Sequence, residues 1–221
     1  LMHPQLHGYS HYNISELNEY FKTEESREAF DNKFLTSRST IRGNLAFLQG
    51  ELSESNAESS LIRIAADEFE KTFGFRSKTI IPPTFILDKK LIDDIKASGV
   101  GLVQSSNRVT ESNKQRYNFP FFRKYKGLVW SIRNARLDPC KGYDFYHEQC
   151  IESIDKAFAN ESPAIIDFHR VNFSGRFNPA YRDRTLAELD SLIRKILLRW
   201  PDVTFIHSQK LFELIWQQKT S

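Results

Sequence analysis

Five short runs centred on apolar residues punctuate the chain: "SKTIIPP" (77–83), "GVGLVQS" (99–105), "GLVWSIRN" (127–134), "PAIIDFH" (163–169) and "DVTFIH" (202–207). Each is continuous rather than alternating, the pattern of strands buried on both faces of a parallel sheet. Between them lie amphipathic segments. "ESSLIRIAADEFEKTFG" (58–74) sets Leu61, Ile62, Ala65, Phe69 and Phe73 on one helical stripe and ends at a glycine stop, as does "LDKKLIDDIKASG" (87–99). "YDFYHEQCIESIDKAFAN" (143–160) and "RTLAELDSLIRKILLRW" (184–200) are longer, and Pro201 closes the second. This alternation predicts an α/β fold with mainly parallel strands. No internal repeat or linker breaks residues 1–221, so a single domain is expected. Residues 23–57 read as helix and then loop. Residues 106–126 read as one long basic, aromatic loop, a kind of segment that often carries function.

Composition narrows the function classes. A net charge of +3 is too small to imply a nucleic-acid or membrane partner. No apolar run approaches the ~18 residues of a membrane span. The opening "LMHPQLHG" has neither the basic head nor the apolar core of a signal peptide. Cys140 and Cys150 are the two cysteines and show no CxxC spacing, so they read as ordinary thiols.

The stretch "QLHGYSHYN" (5–13) places His7 and His11 four apart, a spacing that lets two imidazoles one helical turn apart face one ion. Pro4 and Gly8 fit a strand end entering a turn better than a full helix. The position just past the carboxyl end of a strand is where α/β folds carry their sites. A pair of surface or capping histidines is the competing reading of the same spacing.

Read on along the chain, "HGYSH" resembles the His-x-x-x-His metal motif of the polysaccharide deacetylase family, carbohydrate esterases built on a distorted (β/α) barrel. "FGFRSKTIIPPTF" resembles that family's third motif, and "VWSIRNARLDP" its fourth. "PAIIDFHRVNFSG" resembles its fifth, and "LLRWPDVTFIHSQKLFELI" its closing helix, strand and helix. The likeness is greatest to Bacteroidetes-type, polysaccharide deacetylase-like members and spans nearly the whole chain. It implies a metal-dependent hydrolase that removes acetyl groups from a polysaccharide or other glycan. His7 and His11 would hold a divalent metal, usually zinc, and His169 would be the general acid. Pro83 and Thr84 would line the groove, with a backbone N–H near Thr84 or Phe85 facing the oxyanion. Arg133, Asn134, Arg170 and Asn172 would orient His169 or contact the sugar. His207 ends a strand candidate and reads as structural.

The chain also departs from the family pattern. No Asp-Asp pair precedes His7, and Asp93 and Asp94 lie on a solvated helix face. Ile81 stands where the family has an arginine. The expectations that follow are six mainly parallel strands closing most of a barrel without its first strand, and zinc held weakly or not at all. His3 is too far along an extended strand from His7 to complete the site. The sheet edge left open would be covered by residues 35–57 or by a neighbouring chain. Two alternatives remain at this stage. One is a catalytically impaired relative that binds carbohydrate in the same groove. The other is a nucleic-acid binder stacking bases on Tyr117, Phe119 and Phe121, a reading disfavoured because such charge runs are usually solvated faces.

Overall fold

The computed structural model describes residues 3–10, 18–32, 61–106, 109–111, 115–139, 146–175 and 178–217. The fold is mixed α/β with a partly parallel sheet, and the chain divides into two compact units, Leu1–Ser131 with His207–Ser221, and Ile132–Ile206.

The first unit contains α1 (Glu24–Asp31), α2 (Leu61–Phe73), β1 (Thr79–Ile80), α3 (Ile92–Ala97) and β2 (Leu102–Ser105). It continues with β3 (Val109–Thr110), β4 (Arg116–Tyr117), β5 (Arg123–Tyr125) and β6 (Leu128–Ile132). Its main sheet has the order β1-β2-β6-β5. Thr79 and Ile80 lie beside Leu102 and Val103 in parallel register. Leu6 extends this sheet through a parallel bridge to Ile80, and its carbonyl accepts the Ile81 N–H at 2.9 Å. The Val129 N–H donates to the Gly101 carbonyl at 2.8 Å, while Gly101's own N–H goes to Lys78. β5 turns back antiparallel to β6.

Burial explains why these residues became strands. Leu102, Val103, Leu128, Val129 and Trp130 are at most 1 % exposed, and each buried aliphatic side chain contributes about 1.5–3 kcal/mol. α2 turns Ile62, Ala65, Ala66 and Phe69 inward and stops at Gly74, whose φ of 75° favours glycine. The final helix, α6 (Ser208–Gln217), returns to this sheet. Phe212 lies so close to Gly101 that an added Cβ there would sit 2.3 Å from the ring, so the close approach requires glycine at 101.

The second unit is a β–α–β crossover followed by a long helix. β7 (Ala135–Arg136) pairs in parallel with β8 (Ile166–Asp167), and α4 (His147–Ala159) joins them. α5 (Pro179–Arg199) packs on α4. Asn178 caps α5 by accepting the Tyr181 N–H, with Pro179 in the first turn, where its missing N–H costs nothing. Ala135, Leu137, Cys150, Ile151, Ile154, Leu192 and Ile196 form the core. Cys150 is a free, buried thiol whose pKa burial pushes up to about 12, and Cys140 lies outside the described residues.

Several expectations need correction. Among the described residues the strands form three separate sheets, none of which closes. Residues 106–126 are not one loop, because β3 and β4 form an antiparallel pair and β5 joins the main sheet. Tyr117 meets Trp130 edge-on, and Phe119 is buried at 4.7 Å from the same ring. These two aromatics therefore serve the core and offer no stacking platform. Residues 202–207 make no strand: Phe205 and Ile206 are exposed, and among the described residues no strand pairs with them. Residues 35–57 lie outside the described residues.

Candidate functional site

β8 ends in Asp167, and the chain carries two more residues in extended form to His169 before the short 3-10 turn Arg170–Phe173. β7 runs alongside and brings Asp138 to the same level, with Leu137 N–H bonded to the Asp167 carbonyl at 2.9 Å. As a result His169 Nδ1 lies 2.9 Å from Asp138 Oδ2. Asp138 is fully buried, whereas the His169 side chain is 45 % exposed. A buried carboxylate is tolerated only with strong donors around it. Here the Asn172 amide supplies a second donor, from Nδ2 to Asp138 Oδ1 at 2.6 Å. The carboxylate accepts, so His169 donates from Nδ1, and Nε2 is left to trade a proton with solvent or a ligand.

One step back along the two strands sits a second ionic group. Asp167 accepts from Arg133 and, at 3.3 Å, from Arg136. Two guanidiniums therefore satisfy the one buried carboxylate of Asp167.

In the first unit, His7 follows the bridging residue Leu6 at the carboxyl end of the parallel strands, and Gly8 turns the chain there with φ 94°. His7 Nδ1 lies 2.8 Å from the Ile81 carbonyl. A carbonyl only accepts, so Nδ1 carries the proton and the lone pair is on Nε2. Metal-ligating histidines usually donate their other ring N–H to a carbonyl or carboxylate in this way. Ile81, where the resembled family has arginine, thus supplies His7 with its backbone acceptor. His11 lies outside the described residues. His3 is engaged elsewhere, stacked at 4.0 Å on His207 and at 4.8 Å on Phe75.

Pro83 is buried and begins the 3-10 turn Pro83–Phe85; of Thr84 only its place in that turn is described. The Phe85 N–H donates to the Pro82 carbonyl at 3.0 Å, so it is engaged within the turn. Asn134 bonds backbone on both sides, from Nδ2 to the Pro163 carbonyl and by Oδ1 from the Ile165 N–H. It splices β8 to the approach of β7. Arg170 is exposed, whereas Asn172 is fully buried beneath His169. Asp138 was missed as a partner of His169 because 31 residues separate them; the aspartate in "NARLDP" was the available signal.

A further cluster was not foreseen. His147 opens α4, and its Nδ1 lies 2.5 Å from Glu188 Oε2 on α5. Its Nε2 lies 2.7 Å from Glu148 Oε1. His147, Glu148 and Glu188 could hold a metal ion, since one donor atom from each lies within 4.8 Å of the others. Lys195 Nζ, 2.9 Å from His147 Nε2, already brings positive charge to the group. Glu148's carboxyl is held below its ordinary range, first by a bond from its own backbone N–H, then by His147 and Lys195.

No helix among the described residues is long and apolar enough to cross a membrane. Comparison of the chain with family models, curated proteins and solved structures gives no match.

Proposed function

We propose that this chain is a metal-dependent hydrolase that removes acetyl groups from a polysaccharide or other glycan. The observation that carries the proposal is the His169–Asp138 pair at the ends of β8 and β7, with the carboxylate buried and the imidazole open to solvent. In this reading protonated His169 gives the Nε2 proton to the leaving amine or alcohol, and Asp138 stabilises the ring's positive charge beforehand. His7 and His11 would hold the metal, zinc being the expected ion. His7 fits that role through its Nδ1 bond to the Ile81 carbonyl. When bound, such an ion supplies Lewis acidity toward the acetyl carbonyl and acidifies its water. Arg133, Asn134 and Asn172 hold the strand ends that carry His169, and exposed Arg170 is available to a sugar. The same reading carries a distorted (β/α) barrel as the fold, supported by the parallel pairs Leu6–β1, β1–β2 and β7–β8. It also leaves a second copy of the chain as the cover of the open sheet edge.

A relative that binds glycan with little catalysis is the second reading, favoured by Ile81 in the arginine's place. One experiment separates the two. Acetate release is followed from an N-acetylated chitooligosaccharide and an O-acetylated xylan, using the full chain with added zinc and its His169→Ala variant. Release that depends on His169 supports the hydrolase, and binding without release favours the second reading.

A further inference from the structure

We propose that Tyr181 and Asn172 are positioning residues for His169, fixing the imidazole in the tautomer that carries its proton on Nδ1. The inference rests on the general-acid role given to His169 above, and it assigns Nε2 as the nitrogen that exchanges a proton with substrate.

An asparagine side chain can face either way, and only its neighbours decide which end donates. Tyr181, in the first turn of α5, has its hydroxyl 2.8 Å from Asn172 Oδ1. On the other side Nδ2 donates twice, to Asp138 Oδ1 at 2.6 Å and to the His169 carbonyl at 3.1 Å. Reversing the amide would set its oxygen against a carboxylate and a carbonyl, three acceptors with no proton between them. The Tyr181 hydroxyl therefore donates to Oδ1, and the amide keeps one orientation. With Asp138 Oδ1 engaged by the amide, Oδ2 stands 2.9 Å from His169 Nδ1. Asn172 and Asp138 are both fully buried, so bulk water does not compete for these bonds. Thr185 Oγ1 meets the Asn172 carbonyl from the next turn of α5, a backbone contact apart from the three bonds that the amide itself makes.

Loss of the Nε2 proton from imidazolium leaves the neutral ring protonated on Nδ1. The bonds around Asp138 select that tautomer, so the proton that leaves is the one on the exposed Nε2 and the one that stays is on Nδ1. Tyr181 acts through Asn172 and Asp138 and touches no reacting atom.

The test is nitrogen NMR of the full chain labelled in its histidines, with His169 assigned by its loss in His169→Gln. In the neutral form of the wild type, His169 is expected to show a proton-bearing Nδ1 and a lone-pair Nε2. In Tyr181→Phe the two signals should move toward each other as the tautomers mix. The kcat for zinc-supplemented acetate release should then fall by about tenfold at unchanged KM, a fraction of the ~10²–10⁴ that a positioned acid contributes. Thr185→Val, which leaves the amide's bonds intact, should keep the wild-type tautomer. An unchanged tautomer in Tyr181→Phe overturns the inference. So does equal mixing in Thr185→Val, which would mark a packing effect. A tautomer that shifts in Tyr181→Phe, together with a wild type that releases no acetate, leaves the positioning role standing and overturns the acid role of His169.

Discussion

Asp138 Oδ2 stands 2.9 Å from His169 Nδ1, with the aspartate fully buried and the histidine half open to solvent. The charge is inside and the exchangeable proton is outside, the arrangement a general acid requires. Asp138→Asn removes the charge that stabilises imidazolium and offers an amide that can donate to Nδ1. The wrong tautomer is then favoured. Acetate release should fall by ~10²–10⁴, the range that a positioned general acid contributes, because the acid is then held in the wrong tautomer. Steady-state kinetics of the variant check this, with circular dichroism to establish that it folds.

Gly101 lies against the Phe212 ring of α6. An added Cβ would meet Cζ at 2.3 Å and Cε2 at 2.5 Å. Gly101→Ala should therefore destabilise by ~1–3 kcal/mol through overpacking. The double variant with Phe212→Leu should recover much of the loss, because the bulk that clashes is gone. Urea denaturation of both variants measures the difference.

His207 caps α6, its Nδ1 accepting the Lys210 N–H at 3.3 Å while its ring stacks on His3. Its pKa is lowered from 6.5, first by the desolvation of this packing, then by His3 and Lys210, with Glu213 opposing. The unfolded chain therefore takes up this proton at a higher pH than the folded one. The stabilisation is complete above the unfolded pKa of 6.5 and is lost as pH falls through the lower, folded value. Melting temperatures taken from about pH 8 down to about pH 5 should fall, and His207→Asn, a cap that does not titrate, should flatten that part of the curve.

The His147–Glu148–Glu188 group offers an imidazole and two carboxylates, but Lys195 sits beside them. A unit charge at such short range is worth ~1 kcal/mol or more even in a water-like medium. Zinc binding here should therefore be weak in the wild type. It should tighten by about tenfold in Lys195→Met and vanish in Lys195→Met combined with His147→Ala. Calorimetric titration in a His7→Ala background isolates this site from the one proposed at His7 and His11.

Local pattern made much of the secondary structure legible. The stripe through Ile62, Ala65 and Phe69 became α2, and the glycine stops at Gly74 and Gly99 fall where the helices end, both with positive φ. Continuous runs became β1, β2, β6 and β8, because burial on both faces imposes no alternation. The same logic failed at 202–207, where an apolar run finds no neighbouring strand and Phe205 stays exposed. Basic composition hid the β3–β4 pair, whose strands are two residues long and are held by Tyr117 and Phe119 against Trp130. At the site, His169 was legible from its place at a strand end. Asp138, Asn172 and Tyr181 as its supports were not, because the contacts depend on strand register and on the docking of α5. Glu188 met His147 for the same reason, across two helices 41 residues apart in the chain.

The central claim is that His169, supported by Asp138, serves acetyl hydrolysis. The most direct measurement is acetate release from an N-acetylated chitooligosaccharide by the full chain with added zinc, compared with His169→Ala and His7→Ala. The account predicts slow, zinc-stimulated release by the wild type and loss of it in both variants. Release that persists in His169→Ala, or that is indifferent to zinc and to His7, would contradict it.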